Sequence, residues 1–177
     1  SRCEDEQFIA NSARLAWTIG TLDRIRENRE KALIFLESLE LQERLASILQ
    51  RRYRLGRPPM RIHGGVSGSK RQEIVRSFQA APAGFDVMIL SPRAGGVGLT
   101  ITAANHVIHL SRWWNPAVED QSTDRVYRIG QMKPVTVHLP LAVHPDPDIG
   151  PLSFDSKLDE LLTRKRTLSR DLLAPIS

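Results

Sequence analysis

Apolar residues follow two different spacings along this chain, and their alternation predicts helices separated by buried strands. Residues recur at helical spacing over 13–26, 39–53 and 70–78. Short apolar stretches lie between and after them, at 32–36, 60–63, 87–90, 107–110 and 135–139. Strands that alternate with helices are joined by right-handed crossovers and form a parallel, mostly buried sheet. We therefore expect an α/β fold in which functional residues collect at the carboxyl ends of the strands.

The last part of the chain has a different pattern. Four prolines over 140–151 predict a stiff, non-helical connector. From about Asp155 to Leu173 we expect an amphipathic helix whose inward side chains are Leu158, Leu161, Leu162, Leu168 and Leu172. Its outer face would be basic, with Lys157, Arg164, Lys165, Arg166 and Arg170. The expected divisions are an N-terminal segment at 1–12, a lobe at 13–140, the connector at 141–152, and the helix with its tail at 153–177.

Composition narrows the class of protein without deciding it. The chain has 177 residues, enough for one domain with a substantial core, and a net charge of +5 that favours a polyanionic partner. One cysteine, Cys3, excludes an internal disulfide. The five histidines lack metal-ligand spacing, so we expect no metal site, and His106 and His109 are interpreted as structural. We also expect no signal peptide, no membrane span and a cytoplasmic location, with the acidic residues Glu4–Glu6 in a solvated terminal segment.

Four polar residues suggest a phosphate-handling site. Asp124, Arg125 and Arg128 follow Gln121 at offsets of three, four and seven residues, which places all four on one face of a predicted short helix. The neighbouring face, expected to pack inward, carries Val118, Ser122, Val126 and Ile129. Arginine offers a planar fork that binds phosphate oxygens bidentately. The alternative is a solvated helix with a weak Asp124–Arg128 ion pair.

Two glycine-containing loops are candidate anion sites. In the first, Ser91 and Arg93 precede Gly95 and Gly96, whose amides can approach an anion closely. Pro92 removes one amide donor from this loop, and the alternative is a tight strand-to-helix turn.

In the second loop, Gly64 and Gly65 precede a helix that begins near Lys70, so a phosphate could bind at the helix N-terminus. The alternative is an ordinary glycine turn with Ser69 as the helix cap and Arg71 as an internal salt-bridge partner. The spacing from Gly64 to Lys70 does not fit a nucleotide-binding P-loop.

The order of these motifs resembles the second motor lobe of Swi/Snf-type ATPases, a branch of helicase superfamily two. Residues 91–99 resemble the family's fifth motif, Ser-Thr-Arg-Ala-Gly-Gly-x-Gly-Leu, with proline in place of threonine. Residues 121–131 match the sixth, Gln-x-x-Asp-Arg-x-x-Arg-Ile-Gly-Gln, and 114–116 match the Trp-Asn-Pro between them. The resemblance covers roughly 13–173, and the paired Trp113 and Trp114 look like the bacterial branch.

The resemblance implies a three-layer RecA-like lobe of a DNA-stimulated ATPase and translocase. ATP with Mg²⁺ would bind in a cleft, held mainly by the first RecA-like lobe of the same protein, because this chain lacks the P-loop and the acidic Mg²⁺ motif. Arg125 and Arg128 would act as arginine fingers, positioned by Gln121 and Asp124. Nucleotide contacts would also come from Gly96 and Gly98. Contacts to the double-stranded DNA backbone would come from Gly64, Gly65, Lys70, Ser91, Arg93, Gly95 and Trp114.

The same resemblance implies that the chain is inactive alone, and that the bacterial protein is associated with the nucleoid when on DNA. The terminal helix would be either a packed element or a brace that reaches the first lobe. Trp113 and Trp114 either stack on nucleic acid or pack inside. Glu37 replaces a family glutamine near the expected phosphate path, and Arg112 would offset its charge.

Two alternatives of other classes stay open. One is a non-catalytic DNA- or protein-binding module that keeps the fold. The other, an RNA helicase lobe, is disfavoured because such lobes carry His-Arg-x-Gly-Arg instead of the Asp-Arg-x-x-Arg-Ile-Gly-Gln found here.

Overall fold

The secondary structure alternates between helices and strands, as the apolar pattern predicts. The computed structural model describes residues 2–93, 99–113, 115–124, 126 and 130–173, without the side chains of 2 and 170–173. The helices are α1 Arg2–Ala10, α2 Ala13–Glu27, α3 Leu39–Tyr53, α4 Gly68–Ala80, α5 Pro116–Thr123 and α6 Phe154–Leu173. The strands are β1 Lys31–Phe35, β2 Met60–Ile62, β3 Asp86–Leu90, β4 His106–His109 and β5 Thr136–His138.

These five strands form a parallel sheet in the order β2-β3-β1-β4-β5. β1 lies at the centre, where Lys31 pairs with Asp86 of β3 and Ala32 pairs with His106 of β4. All five β1 residues are buried, which is the pattern of a strand covered on both faces. The expected parallel α/β sheet is therefore confirmed.

Alternate residues of β1 face two separate hydrophobic cores. Ala32 and Ile34 pack into a core that includes residues of α2 and α3, such as Leu22 and Leu45. Leu33 and Phe35 face the opposite core, which includes Val75 and Phe78 of α4. Because neighbouring side chains of a strand point to opposite faces, this single strand separates the two outer layers of a three-layer fold.

The N-terminal segment is a helix, which the sequence analysis did not predict. Glu4 and Glu6 are exposed, in agreement with a solvated segment, but Asp5 accepts two hydrogen bonds from Arg51 of α3, at 2.8 and 2.9 Å. Phe8 packs against the first core, and the guanidinium of Arg44 lies 3.5 Å from its ring centroid. α1 is weakly amphipathic, so its own sequence gives little indication of these contacts with α3.

α6 has nearly the predicted bounds, but only part of its leucine stripe is buried. Leu158 and Leu162 are buried, whereas Leu161 is 36% exposed and Leu168 is 61% exposed. The prediction that all five leucines face inward is therefore wrong for these two, and the Leu172 side chain lies outside the described residues. The reason is geometric, since a straight helix lying on the lobe buries only a narrow stripe four residues apart.

The connector before α6 is irregular, as its prolines predict, apart from a 3₁₀ turn at Gly150–Leu152. Among the described residues, no helix combines the length and the apolar character that a membrane span requires.

Two leucines of α6 provide a matched test of this packing. Leu162→Ala should lower the free energy of unfolding by about 2–5 kcal/mol, because it leaves a cavity at a fully buried position. Leu168→Ala changes the same residue type on the same helix and should cost less than about 1 kcal/mol. Urea unfolding of both variants checks this, and equal losses would contradict the observed orientation of α6.

Candidate functional site

The predicted site residues follow strands that end at one edge of the sheet. Because all strands are parallel, the loops after β2, β3 and β4 share this edge. The loop after β2 contains Gly64 and Gly65, the loop after β3 contains Ser91 and Arg93, and α5 follows β4. Sequence motifs that are far apart in the chain therefore lie along one side of the molecule.

The loop after β3 begins with a buried residue and continues to an exposed arginine. The Ser91 hydroxyl accepts a hydrogen bond of 2.9 Å from Gln42 Nε2, and the Ser91 amide donates to the Ile62 carbonyl. The exposed Arg93 guanidinium lies 4.7 Å from the Trp113 ring centroid, a cation–π arrangement. The structure thus directs Ser91 inward and Arg93 outward. Gly95, Gly96 and Gly98 lie outside the described residues.

The loop after β2 is a turn held by its own neighbours. The Gly65 amide donates to His63 Nδ1 at 3.2 Å, and Arg71 Nη2 donates to the carbonyls of His63 and Gly64, at 3.4 and 3.3 Å. Arg71 therefore binds turn carbonyls, and the interpretation as a salt-bridge partner is wrong for the described contacts.

At the start of α4, Ser67 is the helix cap, because its hydroxyl accepts the Lys70 amide. The alternative in which Ser69 caps the helix is therefore wrong in that detail. The Lys70 ammonium group is exposed and lies 2.9 Å from both Glu73 carboxylate oxygens. A phosphate ligand would have to compete with that carboxylate.

α5 is shorter than the helix that the sixth motif predicts. Asn115 caps its start, the helix ends at Thr123, and the Val126 amide bonds to the Thr123 carbonyl in a tighter turn. One continuous helix from Gln121 to Arg128 was therefore a wrong expectation. Gln121 and Asp124 are exposed. The inward face is confirmed for Ser122 and Val126, which are buried, while Val118 is half-buried. Arg125, Arg128, Ile129 and Trp114 lie outside the described residues.

A buried cluster of charges fixes α5 to its surroundings. The side chains of Arg112 and Glu119 are 2% and 3% exposed and form an ion pair of 2.7 Å. Arg112 also binds Asp159 of α6 at 2.9 Å. Arg166 of α6 binds Glu119 at 3.0 Å and Asp120 at 2.9 Å. The described ion pairs of Arg112 are therefore with Glu119 and Asp159, and Arg166 does not belong to an exposed basic face.

The electrostatics of Glu119 follow from these contacts. Burial alone would raise the pKa of its carboxyl group, but hydrogen bonds from Arg112 and the charge of that guanidinium outweigh burial. The pKa of Glu119 is consequently lowered, and the carboxylate stays ionised.

Two of the histidines have clear structural contacts. His109 stacks on Phe35, with ring centroids 5.3 Å apart, and its Nε2 lies 3.0 Å from the Thr123 hydroxyl at the end of α5. Burial lowers the pKa of His109 to about 4. His106 lies 2.6 Å from Glu30 and hydrogen bonds with His138. Both observations agree with the structural interpretation of His106 and His109. Among the described residues, no group of three potential ligands is arranged for a metal.

Sequence reasoning missed three residues that organise this edge. Gln42 is fully buried and joins the loop after β1 to the loop after β3, through the Leu36 carbonyl and the Ser91 hydroxyl. Its signal was a polar residue on the apolar face of a predicted helix. Glu119 and Arg166 carry no such signal, because acidic and basic residues on helices are ordinarily exposed.

The fold and the arrangement of its motifs define the second RecA-like lobe of a helicase-type ATPase. Residues 16–130 match the family described as helicase conserved C-terminal domain, and the chain belongs to this family. Its relatives are of the SWI2/SNF2 type. The expected family and fold are thereby confirmed.

Two bacterial relatives cover almost the entire chain. It is 41% identical over 175 residues to the Zorya protein ZorD of Escherichia coli. It is 35% identical over 170 residues to the putative ATP-dependent helicase/translocase YwqA of Bacillus subtilis. Each alignment covers 96% of this chain but only 16% and 17% of those proteins. The chain thus spans about a sixth of the length of these relatives.

Solved structures give the same family. The SWI2/SNF2 ATPase core domain of Sulfolobus solfataricus superposes with a TM-score of 0.71 at 30% identity, covering 95% of this chain and 32% of that one. The same core in complex with dsDNA superposes with a TM-score of 0.68 at 31% identity, covering 92% and 31%.

The buried His109 predicts a pH dependence of stability. Between pH 6.5 and about 4, the unfolded chain binds a proton that the folded chain excludes. Stability is therefore lost as the pH falls through this window, by about 2 kcal/mol from this group between pH 7 and pH 5. Urea unfolding of wild type and His109→Asn at both pH values measures it.

The unfolding free energy of the wild type minus that of His109→Asn should be about 2 kcal/mol smaller at pH 5 than at pH 7. The pKa of His138 is lowered to about 4 as well, but its contribution cancels because both proteins contain it. A difference that stays constant with pH would contradict the assignment. His144→Asn, in the connector, leaves the His109 contacts in place and serves as the control.

Proposed function

We propose that this chain is the second motor lobe of an ATP-driven translocase or remodeller of double-stranded DNA. ATP with Mg²⁺ would bind between this lobe and a first RecA-like lobe of the same protein, which would hold most of the phosphate and metal contacts. The bacterial relatives and the DNA-bound Sulfolobus structure support this assignment. A bacterial motor of this kind would act in the cytoplasm, on nucleoid DNA.

The observation that carries the proposal is contact between the candidate DNA loop and the candidate nucleotide helix. Arg93 stacks on Trp113, and the Pro92 carbonyl oxygen lies 3.5 Å from the Ser122 hydroxyl of α5. Residues of the fifth motif therefore touch elements that lead into the sixth. A motor requires such contact, because events at the nucleotide must be transmitted to DNA contacts.

The proposed roles follow from the sixth and fifth motifs of the family. Arg125 and Arg128 would stabilise charge on the transferring phosphoryl group, and Gln121 and Asp124 would position them at the lobe interface. An arginine finger accelerates hydrolysis roughly a thousandfold or more in related enzymes. Gly96 and Gly98 would contribute nucleotide contacts through their amides.

On the DNA side, the exposed cations Arg93 and Lys70 would contact phosphates. The amides of Gly64, Gly65 and Gly95 and the side chain of Trp114 would complete the DNA path. Ser91 would shape its loop through Gln42. Contacts to phosphate rather than to base edges imply little sequence preference.

Substitution of Arg125 or Arg128 distinguishes a motor lobe from a non-catalytic binding module. In the full-length protein, Arg125→Ala or Arg128→Ala should lower ATP turnover about a thousandfold, while ATP affinity and thermal stability change little. The arginines act mainly on charge that develops in the transition state, so rate suffers more than binding. Lysine at either position should restore little, because it lacks the planar fork. Steady-state ATPase with saturating duplex DNA measures this.

Arg57→Ala is the matched control, since Arg57 pairs with Asp86 at the opposite edge of the sheet. Turnover of the finger variants within a few-fold of wild type would favour the non-catalytic module. The 177-residue chain by itself should hydrolyse ATP only at background rate, with or without DNA.

Binding of the isolated lobe to duplex DNA should be weak, independent of sequence and steeply dependent on salt. Arg93→Ala should reduce the slope of log K against log salt by about 0.9, the value for one phosphate contact. Arg57→Ala should leave the slope unchanged. Fluorescence anisotropy across a salt series measures both variants. Binding that is insensitive to salt, or equal effects of the two substitutions, would contradict the proposed DNA path.

A further inference from the structure

α6 makes polar contacts with α5, although it lies beyond the residues that match the helicase conserved C-terminal domain. The matched region ends at residue 130, whereas α6 begins at Phe154. Arg166 donates to Asp120 through both Nε, at 3.1 Å, and Nη2, at 2.9 Å, and its Nη2 also reaches Glu119 at 3.0 Å. Asp159, two turns earlier on the same face of α6, accepts from Arg112 at 2.9 Å.

These contacts matter because α5 buries polar rather than apolar side chains. Its buried side chains are Glu119 and Ser122, both polar. A helix held by a broad apolar face keeps its position when one contact is lost, but a helix held by directional hydrogen bonds does not. The position of α5 therefore depends on the charges that meet Glu119 and Asp120, and Arg166 supplies the charge from α6.

We propose that α6 is a clamp on α5, and that Arg166 is a positioning residue for the arginine fingers of the nucleotide cleft. The proposal rests on the proposed function, since it assigns Arg166 a role in the same reaction. Asp120 and Glu119 lie only a few residues before Arg125 in the chain, and Asp124 directly follows α5. A shift of α5 would consequently be carried into the segment that bears the fingers. Misplacement of a catalytic group by about 1 Å can cost a hundredfold in rate.

The alternative is that Arg166 only stabilises the fold. Arg166→Gln leaves Glu119 paired with Arg112, so no buried charge loses its last partner. A stabilising role would lower the folded fraction, and with it every activity of the protein, in parallel. A positioning role would lower the rate of hydrolysis while ATP affinity and DNA affinity are retained.

Arg164 offers a matched control on the same helix. It is exposed and pairs with Glu160 one turn away, so it contacts α6 rather than α5. Arg166→Gln and Arg164→Gln remove the same charge from positions two residues apart. Asp120→Asn removes one acceptor of the clamp at a more exposed site, and Arg166→Lys keeps the charge without the fork.

The kinetic test uses the full-length protein with saturating duplex DNA. We expect Arg166→Gln to lower kcat about tenfold to a hundredfold, with KM for ATP and duplex affinity within about threefold of wild type. Asp120→Asn should lower kcat in the same direction, Arg166→Lys should restore part of the rate, and Arg164→Gln should match wild type. Unchanged kcat in Arg166→Gln, or parallel losses of kcat, affinity and thermal stability, would overturn the clamp.

A second measurement does not depend on ATPase activity. Hydrogen exchange of the α5 amides in this chain should be about tenfold faster in Arg166→Gln than in Arg164→Gln, because loss of the clamp permits local opening. Equal exchange in the two variants would overturn the clamp. If exchange responds as expected but Arg125→Ala retains full turnover, the clamp stands as a mechanical contact, and the proposed catalytic function fails.

Discussion

The buried ion pair between Arg112 and Glu119 is the interaction on which the functional edge of this lobe depends. Burying a charge costs several kcal/mol per ion, so such a pair persists only if its hydrogen-bonding capacity is used. Here Glu119 also accepts from the Trp113 amide and from Arg166, and Arg112 also donates to Asp159. Removing one partner would leave a buried charge, at a cost of about 3–5 kcal/mol. The pair therefore joins the loop after β4, α5 and α6 into one unit.

The unit of the loop after β4, α5 and α6 also contacts the loop after β3. The loop after β2 has different supports. Arg93 rests on Trp113, whose amide binds Glu119, and Ser122 of α5 lies beside Pro92. The turn at Gly64 is instead held by Arg71 of α4. The edge thus has two parts with different supports, and a displacement of α5 would reach the loop after β3 first. Under the proposed function, nucleotide events would reach one part of the DNA path while the other part kept its position.

Periodicity was enough to predict the elements of the sheet and its helices, because burial alone imposes that pattern. The bounds of α3 were predicted to the residue, and those of α2 and α6 within one residue. Periodicity does not predict the surface against which a helix packs. α1 depends on the surface of α3, and the exposure of Leu168 depends on how α6 lies on the lobe. Ser67 rather than Ser69 caps α4 because of loop geometry, which residue types do not determine.

The candidate loops lie at one edge of the sheet, as predicted, but the motifs do not predict the contacts that shape those loops. Arg112 and Glu119 are only seven residues apart, yet nothing in that spacing requires both to be buried. Arg166 and Asp120 are 46 residues apart, and they meet only because the proline-rich connector returns the chain to α5. Polar contacts of this range depend on the tertiary fold. They are therefore the part of the site that a motif leaves undefined.

The distribution of charge, rather than the net charge, determines the electrostatic field at this edge of the sheet. Arg112 and Arg166 lie near the candidate cleft, but Glu119, Asp120 and Asp159 surround them, so this cluster of five carries a local charge of −1. Away from this edge, Arg51 and Arg57 likewise form ion pairs, with Asp5 and Asp86 respectively. The net charge of +5 therefore overstates the field that a DNA backbone meets at this edge. Under the proposed function, exposed cations beside the glycine loops, such as Arg93, would supply that attraction, and the buried arginines instead give the edge its shape.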